Sequence, residues 1–407
     1  GDVGSRLPGE PGSSATRTHC DIGLASAAAL YPVEGGRQTE AVIRVPLKTR
    51  KSSSSGERTP AGQPQSWHQA LEGACQVNVP DPAIQGLYDR ALRTLILHTP
   101  GDRVYAGPYT YKRFWFRDAV LIGGALLHAG LKDRLHRIMD RFAPHQTHSG
   151  YFLSQEGEWD SNGQVLWLME RFCRATNSRP SSRWIEAAKK GARWIVHKRL
   201  SDSGGQPHAG LMPAGFSAEH LGPNDHYYWD SYWSLAGLHA ASSLLRRREE
   251  DSLIREFGST AQALEDALAR SLAYVKDRLG REVMPASPHR RLDSGAVGSL
   301  VAGYPLQLVP ADDPALLNTV EYLLGNCMIR RCLFHDISHS GINPYLTLHI
   351  AQVLLRAGDI RYLDLLEGIA ELASPTGQWP EAIHPSLGTG CMGDGQHVWA
   401  AAEWIAM

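Results

Sequence analysis

From about Pro80 onward the chain repeats one pattern: a stretch with apolar residues every three or four positions, then a loop, then another such stretch. Roughly a dozen stretches carry this 3.6-residue spacing, from "IQGLYDRALRTLILH" and "RDAVLIGGALLHAG" through "DSGAVGSLVAG" to "HVWAAAEWIAM". Strand-like alternation is short and rare here. The connecting loops are of two kinds, short ones and long ones rich in Gly, Pro and aromatic residues. This predicts helical hairpins set side by side, and six hairpins closing on themselves make an all-α (α/α)6 barrel. An open solenoid is the alternative, but no fixed period of roughly 34 or 40 residues, as in tetratricopeptide or HEAT arrays, is present. Closure is therefore the expectation, with the long loops gathered at one end of a rigid scaffold, where binding groups tend to sit.

The first 75 residues differ. "LPGEPGSSATRT" and "KTRKSSSSGERTPAGQPQ" are Gly, Ser, Pro and Thr rich, and one alternating stretch, "TEAVIRVPL", has the pattern of a strand. Residues 1–75 are expected to be the remnant of a β module plus a linker, and 76–407 the helical barrel.

The balance of 41 Lys+Arg against 42 Asp+Glu gives no electrostatic reason to expect nucleic acid or an anionic membrane as a partner. A neutral substrate fits better. No apolar run is long enough to span a bilayer, the start at Gly1 lacks the basic-then-apolar pattern of a signal peptide, and the missing initiator Met suggests a processed or partial chain. The six cysteines are scattered, with no CxxC pair, so free thiols in a reducing, cytoplasmic compartment are expected. His335 and His339, four apart in "HDISH", have metal-ligand spacing for a helix, but the Ser-Gly-Asn-Pro that follows predicts a loop and no third ligand is apparent. No Gly-rich phosphate loop precedes a helix. Neither a metal nor a cofactor is expected.

The long loops carry the chemistry. "YAGPYTYKRFWFRDA", "SQEGEWDSNGQ", "GPNDHYYWDSYW" and "GQWPEAIHP" each couple Trp or Tyr to a carboxylate. Aromatic faces bind the C–H faces of pyranose rings, while carboxylates and Arg hydrogen-bond hydroxyls, so a neutral carbohydrate suits such a site. In "FWFRDA", Asp118 reads either as a helix cap or, with Arg117, as a binder of two adjacent hydroxyls. Asp160 has the same two readings, and Glu158 and Trp159 are candidate wall residues beside it. Trp229 and Trp233, four apart, read as a core stripe, which would leave Asp230 an exposed first-turn acid. Crowding by five rings argues instead that Asp230 sits in a low-dielectric pocket, which raises a carboxyl pKa and makes a proton donor. Glu381, stiffened by Pro380 and next to Trp379, reads as a solvated loop residue or as the complementary carboxylate.

In this order the motifs resemble the six-hairpin glycosidases, most closely the glucoamylase-like glycoside hydrolases of family 15, with trehalase-like and processing-glucosidase-like features, over about residues 78–407. "FWFRDA" resembles a Trp-x-Arg-Asp sugar-holding motif, "YYWDSYW" stands where the family has Trp-Glu and its general acid, "QWPEAI" resembles a Pro-Glu-Gln base loop, and "HVWAAAEW" a closing Trp-x-x-Ala-Glu helix. Asp230 in place of Glu, and Ala382 after Glu381 in place of Gln, depart from the glucoamylase pattern. The resemblance implies an exo-acting, inverting hydrolase with Asp230 as acid and Glu381 as base, standing roughly 6.5–9.5 Å apart. Arg117 and Asp118 would hold the terminal sugar, Tyr111, Trp115, Trp159 and Trp229 would stack on it, and Glu158, Asp160 and Trp379 would line the site. Two other classes stay open: a sugar phosphorylase or uronate-processing enzyme using Lys112, Arg113 and Arg117 as an anion pocket, and a glycan-binding barrel without catalysis.

Overall fold

The computed structural model describes residues 35–36, 66–216, 222–246, 250–338 and 340–407. The chain divides into two compact units, 1–64 and 65–407, and only the second is described below. The strand expected in "TEAVIRVPL" lies outside the described residues, as does His339.

Several helices start where the sequence says they should. In α2 (Pro82–His98) Asp81 accepts from the N–H groups of Ala83 and Ile84 at 2.7 and 3.1 Å, with proline at the first helical position. Asp313 before α9 (Pro314–Asn326) and Asn343 before α10 (Pro344–Arg356) repeat the device. A side-chain acceptor satisfies an otherwise orphaned N–H, and proline has none to lose. A short α1 (Trp67–Ala70), closed by a Ser66–Gln69 capping box, precedes them.

The remaining helices are α3 (Phe116–His128), α4 (Lys132–Met139), α5 (Ser161–Ala175), α6 (Ser182–Lys198), α7 (Tyr228–Arg246), α8 (Asp251–Leu279), α11 (Tyr362–Glu371) and α12 (Val398–Ala406). Contacts run from α3 to α5, α7, a 3-10 helix at Ser294–Ala302, α10, α12 and back to α3. These six form a closed inner ring among the described residues. Outside it, α4, α6, α8, α9 and α11 pack on their inner neighbours and α2 packs on α12. Inner and outer elements alternate along the chain, as an (α/α)6 barrel requires.

The two rings differ as their burial dictates. Outer α6 buries one stripe (Trp184, Ile185, Ala188, Ala192, Ile195), whereas α10 is buried on all sides from Pro344 to Leu354. Close approach inside the ring depends on glycine: a Cβ on Gly163 of α5 would come within 2.0 Å of the Trp233 carbonyl oxygen on α7. The fifth inner element departs from expectation. Helical spacing in "DSGAVGSLVAG" is realised as a 3-10 helix, in a stretch whose Gly295, Val297, Gly298 and Val301 all weaken the α form.

A small antiparallel sheet joins two loops at the ring: β1 (Met328–Ile329), β2 (Cys332–His335), β3 (Gly341–Ile342), β4 (Ala382–Ile383) and β5 (Gly390–Met392), in that spatial order. Ile342 pairs with Ile383, which fixes the backbone immediately after Glu381. His335 ends β2, so it is not on a helix with metal-ligand spacing. Cys75, Cys327, Cys332 and Cys391 carry free thiols. No helix among the described residues is long and apolar enough to cross a membrane.

Candidate active site

Because inner and outer helices alternate, the inner ones run in one direction and their N-termini share one end of the barrel. That end carries Arg117 and Asp118 on α3, Asp160 before α5, and Asp230 in the first turn of α7. Helix N-termini favour carboxylates there.

Asp160 is the hub. Its Oδ2 accepts from Arg117 Nε at 2.9 Å, Gln164 Nε2 at 2.9 Å and Trp229 Nε1 at 2.8 Å, joining the starts of α3, α5 and α7. Its side chain makes no capping bond, so the cap reading fails: the carboxylate is turned to the ring interior. Arg117 also meets Glu158 at 3.1 Å, and all three side chains are at most 7% exposed. Burial pushes the Glu158 carboxyl up, Arg117 opposes it, and Asp160 adds to it.

Asp118 is not a cap either. Trp115 occupies the N-cap position and Asp118 lies three residues in, half-buried. Its carboxyl is pushed up to about 6 by burial, against the pull of Arg117 and with the charges of Glu381 and Asp160 adding to it.

Asp230 is buried, and its Oδ2 has no hydrogen-bond partner among the described residues. Burial raises its carboxyl well above the ordinary value, and Asp160 and Glu158 raise it further against the opposing charge of Arg117. Desolvation and the neighbouring negative charges both favour the protonated form of this carboxyl.

Glu381 is held from two sides. Its Oε2 accepts from the Tyr111 hydroxyl at 2.5 Å. Gly393, at φ 66°, packs so closely that a Cβ there would lie 2.0 Å from the same oxygen. Its neighbour Asp394 accepts from the backbone N–H groups of Tyr109, Thr110 and Tyr111 at 3.1, 2.8 and 3.0 Å, and these bonds hold its carboxyl below the ordinary value despite burial. Asp394 thus clasps the loop that carries Tyr111. Sequence reasoning missed it, although "GDG" is an Asx-turn signature.

The aromatic residues divide in a way the sequence reading did not anticipate. Tyr111 and Trp115 stand edge to face, 5.5 Å between centroids, and both keep open surface at the mouth. The other three expected sugar contacts are packing residues. Trp229 is 1% exposed, with its ring against Trp233 and Trp399. Trp159 lies beside Tyr151 and Trp194, its face covered by Lys198 Nζ at 3.7 Å and its N–H bonded to the Ala214 carbonyl. Trp379 points into the core, donating to the Ile369 carbonyl at 2.8 Å and packing on Trp404. In each case a buried indole N–H found its acceptor inside the protein, which fixes the ring there. In "YYWDSYW" all five rings are at most 3% exposed: Tyr228 bonds Ser271, Tyr227 bonds the Pro223 carbonyl, and Tyr232 lies against Met284.

Two of the three cations named for an alternative anion pocket are engaged, while Lys112 is exposed. Arg117 is matched by Glu158 and Asp160, and Arg113 bonds Gln155 at 2.7 Å while its guanidinium covers Trp115. Asp118 has the charges of Glu381 and Asp160 near it, and Asp230 those of Asp160 and Glu158, so the site is acidic.

No protein-family profile matches the chain, and no curated protein matches it. Solved structures do. A glycosidase variant aligns with a TM-score of 0.61 at 15% identity, over 81% of this chain and 97% of its own. A bacterial glucoamylase complexed with acarbose aligns at 0.60 and 14% identity, over 83% of this chain and 56% of its own. A rhamnosidase from Klebsiella oxytoca with rhamnose bound aligns at 0.57 and 17%, over 82% of this chain and 65% of its own. At these identities the likeness is one of fold, the (α/α)6 barrel.

Proposed function

We propose that this protein is a glycoside hydrolase that cleaves a neutral oligo- or disaccharide from its non-reducing end with inversion. The observation that carries the reading is the buried Asp230 with its unpartnered Oδ2 at the end of the ring that also holds Glu381. Protonated Asp230 gives its proton to the glycosidic oxygen as that oxygen leaves the anomeric carbon. Ionised Glu381, oriented by Tyr111, takes a proton from the water whose oxygen attacks that carbon from the opposite face. The two protons are then exchanged with solvent. Arg117 and Asp118 bind hydroxyls of the terminal sugar, and Trp115 offers it the ring face that Arg113 leaves uncovered.

The solved structures similar to this chain include a glucoamylase with acarbose and a rhamnosidase with rhamnose, which supports carbohydrate as the substrate class. The excess of carboxylates over cations argues for a neutral sugar over a phosphate or a uronate. Aryl and disaccharide glycosides, with NMR of the first-formed anomer, test class and stereochemistry together. Asp230→Asn is expected to lower kcat/KM by roughly 10²–10⁴-fold, the range of general acid catalysis. Full activity in that variant, or a first product of retained configuration, would overturn the assignment.

A further inference from the structure

Three histidines outside this acidic site converge on one point. His208, in the loop after α6, His226, two residues before α7, and His289, between α8 and the 3-10 helix, each place a ring nitrogen within 4.8 Å of the others. His208 Nδ1 lies 2.9 Å from His289 Nε2, and the His208 and His226 rings stack with centroids 3.9 Å apart. One N–H···N bond can satisfy two imidazoles and no more. His226 Nδ1 is buried and turned to the Asp225 carboxylate, which would leave Nε2 as its ligand atom. Asp225 supports the cluster from behind: its Oδ1 is 3.7 Å from His226 Nδ1, its Oδ2 accepts from Ser287 Oγ at 2.6 Å, and its backbone pairs with Gly215. A carboxylate behind a ligating imidazole, itself held by a hydroxyl, is the outer arrangement that orients metal ligands.

We propose that His208, His226 and His289 bind a divalent transition metal of the Zn²⁺ class, with His208 turning out of its stack on His226 so that three imidazole nitrogens and one solvent molecule complete a tetrahedron. The donor set selects the class, since imidazole suits zinc and its neighbours in the series and offers nothing to calcium or magnesium. The ion ties three loops together at the entrance of α7, four residues ahead of Asp230. Its role is to position that helix start, and the proposal is independent of what the acidic site does.

Metal-stripped full-length protein titrated with Co²⁺ tests this directly. One Co²⁺ per chain with an intense visible d–d spectrum, displaced by Zn²⁺, is the expected result. His289 is exposed, so His289→Ala should fold, as far-UV circular dichroism will check, while losing more than roughly 100-fold in Zn²⁺ affinity; Ser287→Ala, which acts only through Asp225, should lose roughly 10-fold. Zn²⁺ should raise the melting temperature of the wild type and leave that of His289→Ala unmoved. Weak octahedral cobalt spectra, or Zn²⁺ affinity unchanged in both His289→Ala and His208→Ala, would overturn the site.

Discussion

Replacing Asp160 by Asn separates its structural work from its electrical influence. The amide keeps the shape and one acceptor oxygen but removes the charge that three buried donors share. Charge-assisted bonds contribute roughly 1.5–3 kcal/mol and neutral ones roughly 0.5–1.5, so each donor loses about 1 kcal/mol and the three about 3 kcal/mol. Exposures of 7% or less at Arg117 and Asp160 justify taking that figure without a solvent discount. Relief of repulsion between Asp160 and Glu158 gives part of it back, leaving about 2 kcal/mol, or a melting drop of roughly 3 °C for a domain of this size. The electrical effect has a definite sign. Asp160 raises the Asp230 carboxyl, so without its charge Asp230 releases its proton at lower pH. Since the acid must be protonated to act, the alkaline limb of the kcat/KM profile moves to lower pH. Scanning calorimetry and a pH–rate profile on one aryl glycoside measure both. A variant as stable as wild type, or an alkaline limb that stays put or moves up, would refute the hub argument.

Two further substitutions probe the neighbours. Tyr111→Phe removes one hydroxyl donor to the buried Glu381 carboxylate, a charged bond of roughly 1.5–3 kcal/mol, so kcat/KM should fall about 10- to 100-fold and melting by a few degrees. For Asp118, whose folded pKa of about 6 stands above its ordinary value of 3.8, the native state binds the extra proton between those values. Stability therefore rises as pH falls from about 6 to about 4, and Asp118→Asn should abolish that slope, be more stable than wild type above pH 6 by urea denaturation, and bind sugar more weakly.

Much of the barrel was legible because its signals are local. Asp-Pro and Asn-Pro starts mark α2, α9 and α10, and the spacing of apolar residues marks the helices between loops. The grouping of aromatic-carboxylate loops at one end follows from alternation alone. What each indole does was not legible, because an inner helix is buried on every side and has no polar face to tell core from cleft. Trp229 and Trp233 obeyed the plain stripe reading, while Trp229 also serves Asp160 through its N–H. The clasp of Asp394 on residues 109–111 was invisible for a different reason: nothing local announces a partner 285 residues away.

The bond between Tyr111 and Glu381 spans 270 positions of the chain, and the clasp of Asp394 spans slightly more. At synthesis rates of roughly 5–20 residues per second, the Arg117 cluster exists for tens of seconds before the carboxylate that completes the site emerges. Sealing the ring and arming the chemistry are thus one event, late and slow in the manner of all long-range contacts. Under the proposed function, a chain interrupted before Glu381 would keep Arg117 and Asp230 but lack the group assigned to activate water, and would be silent by construction.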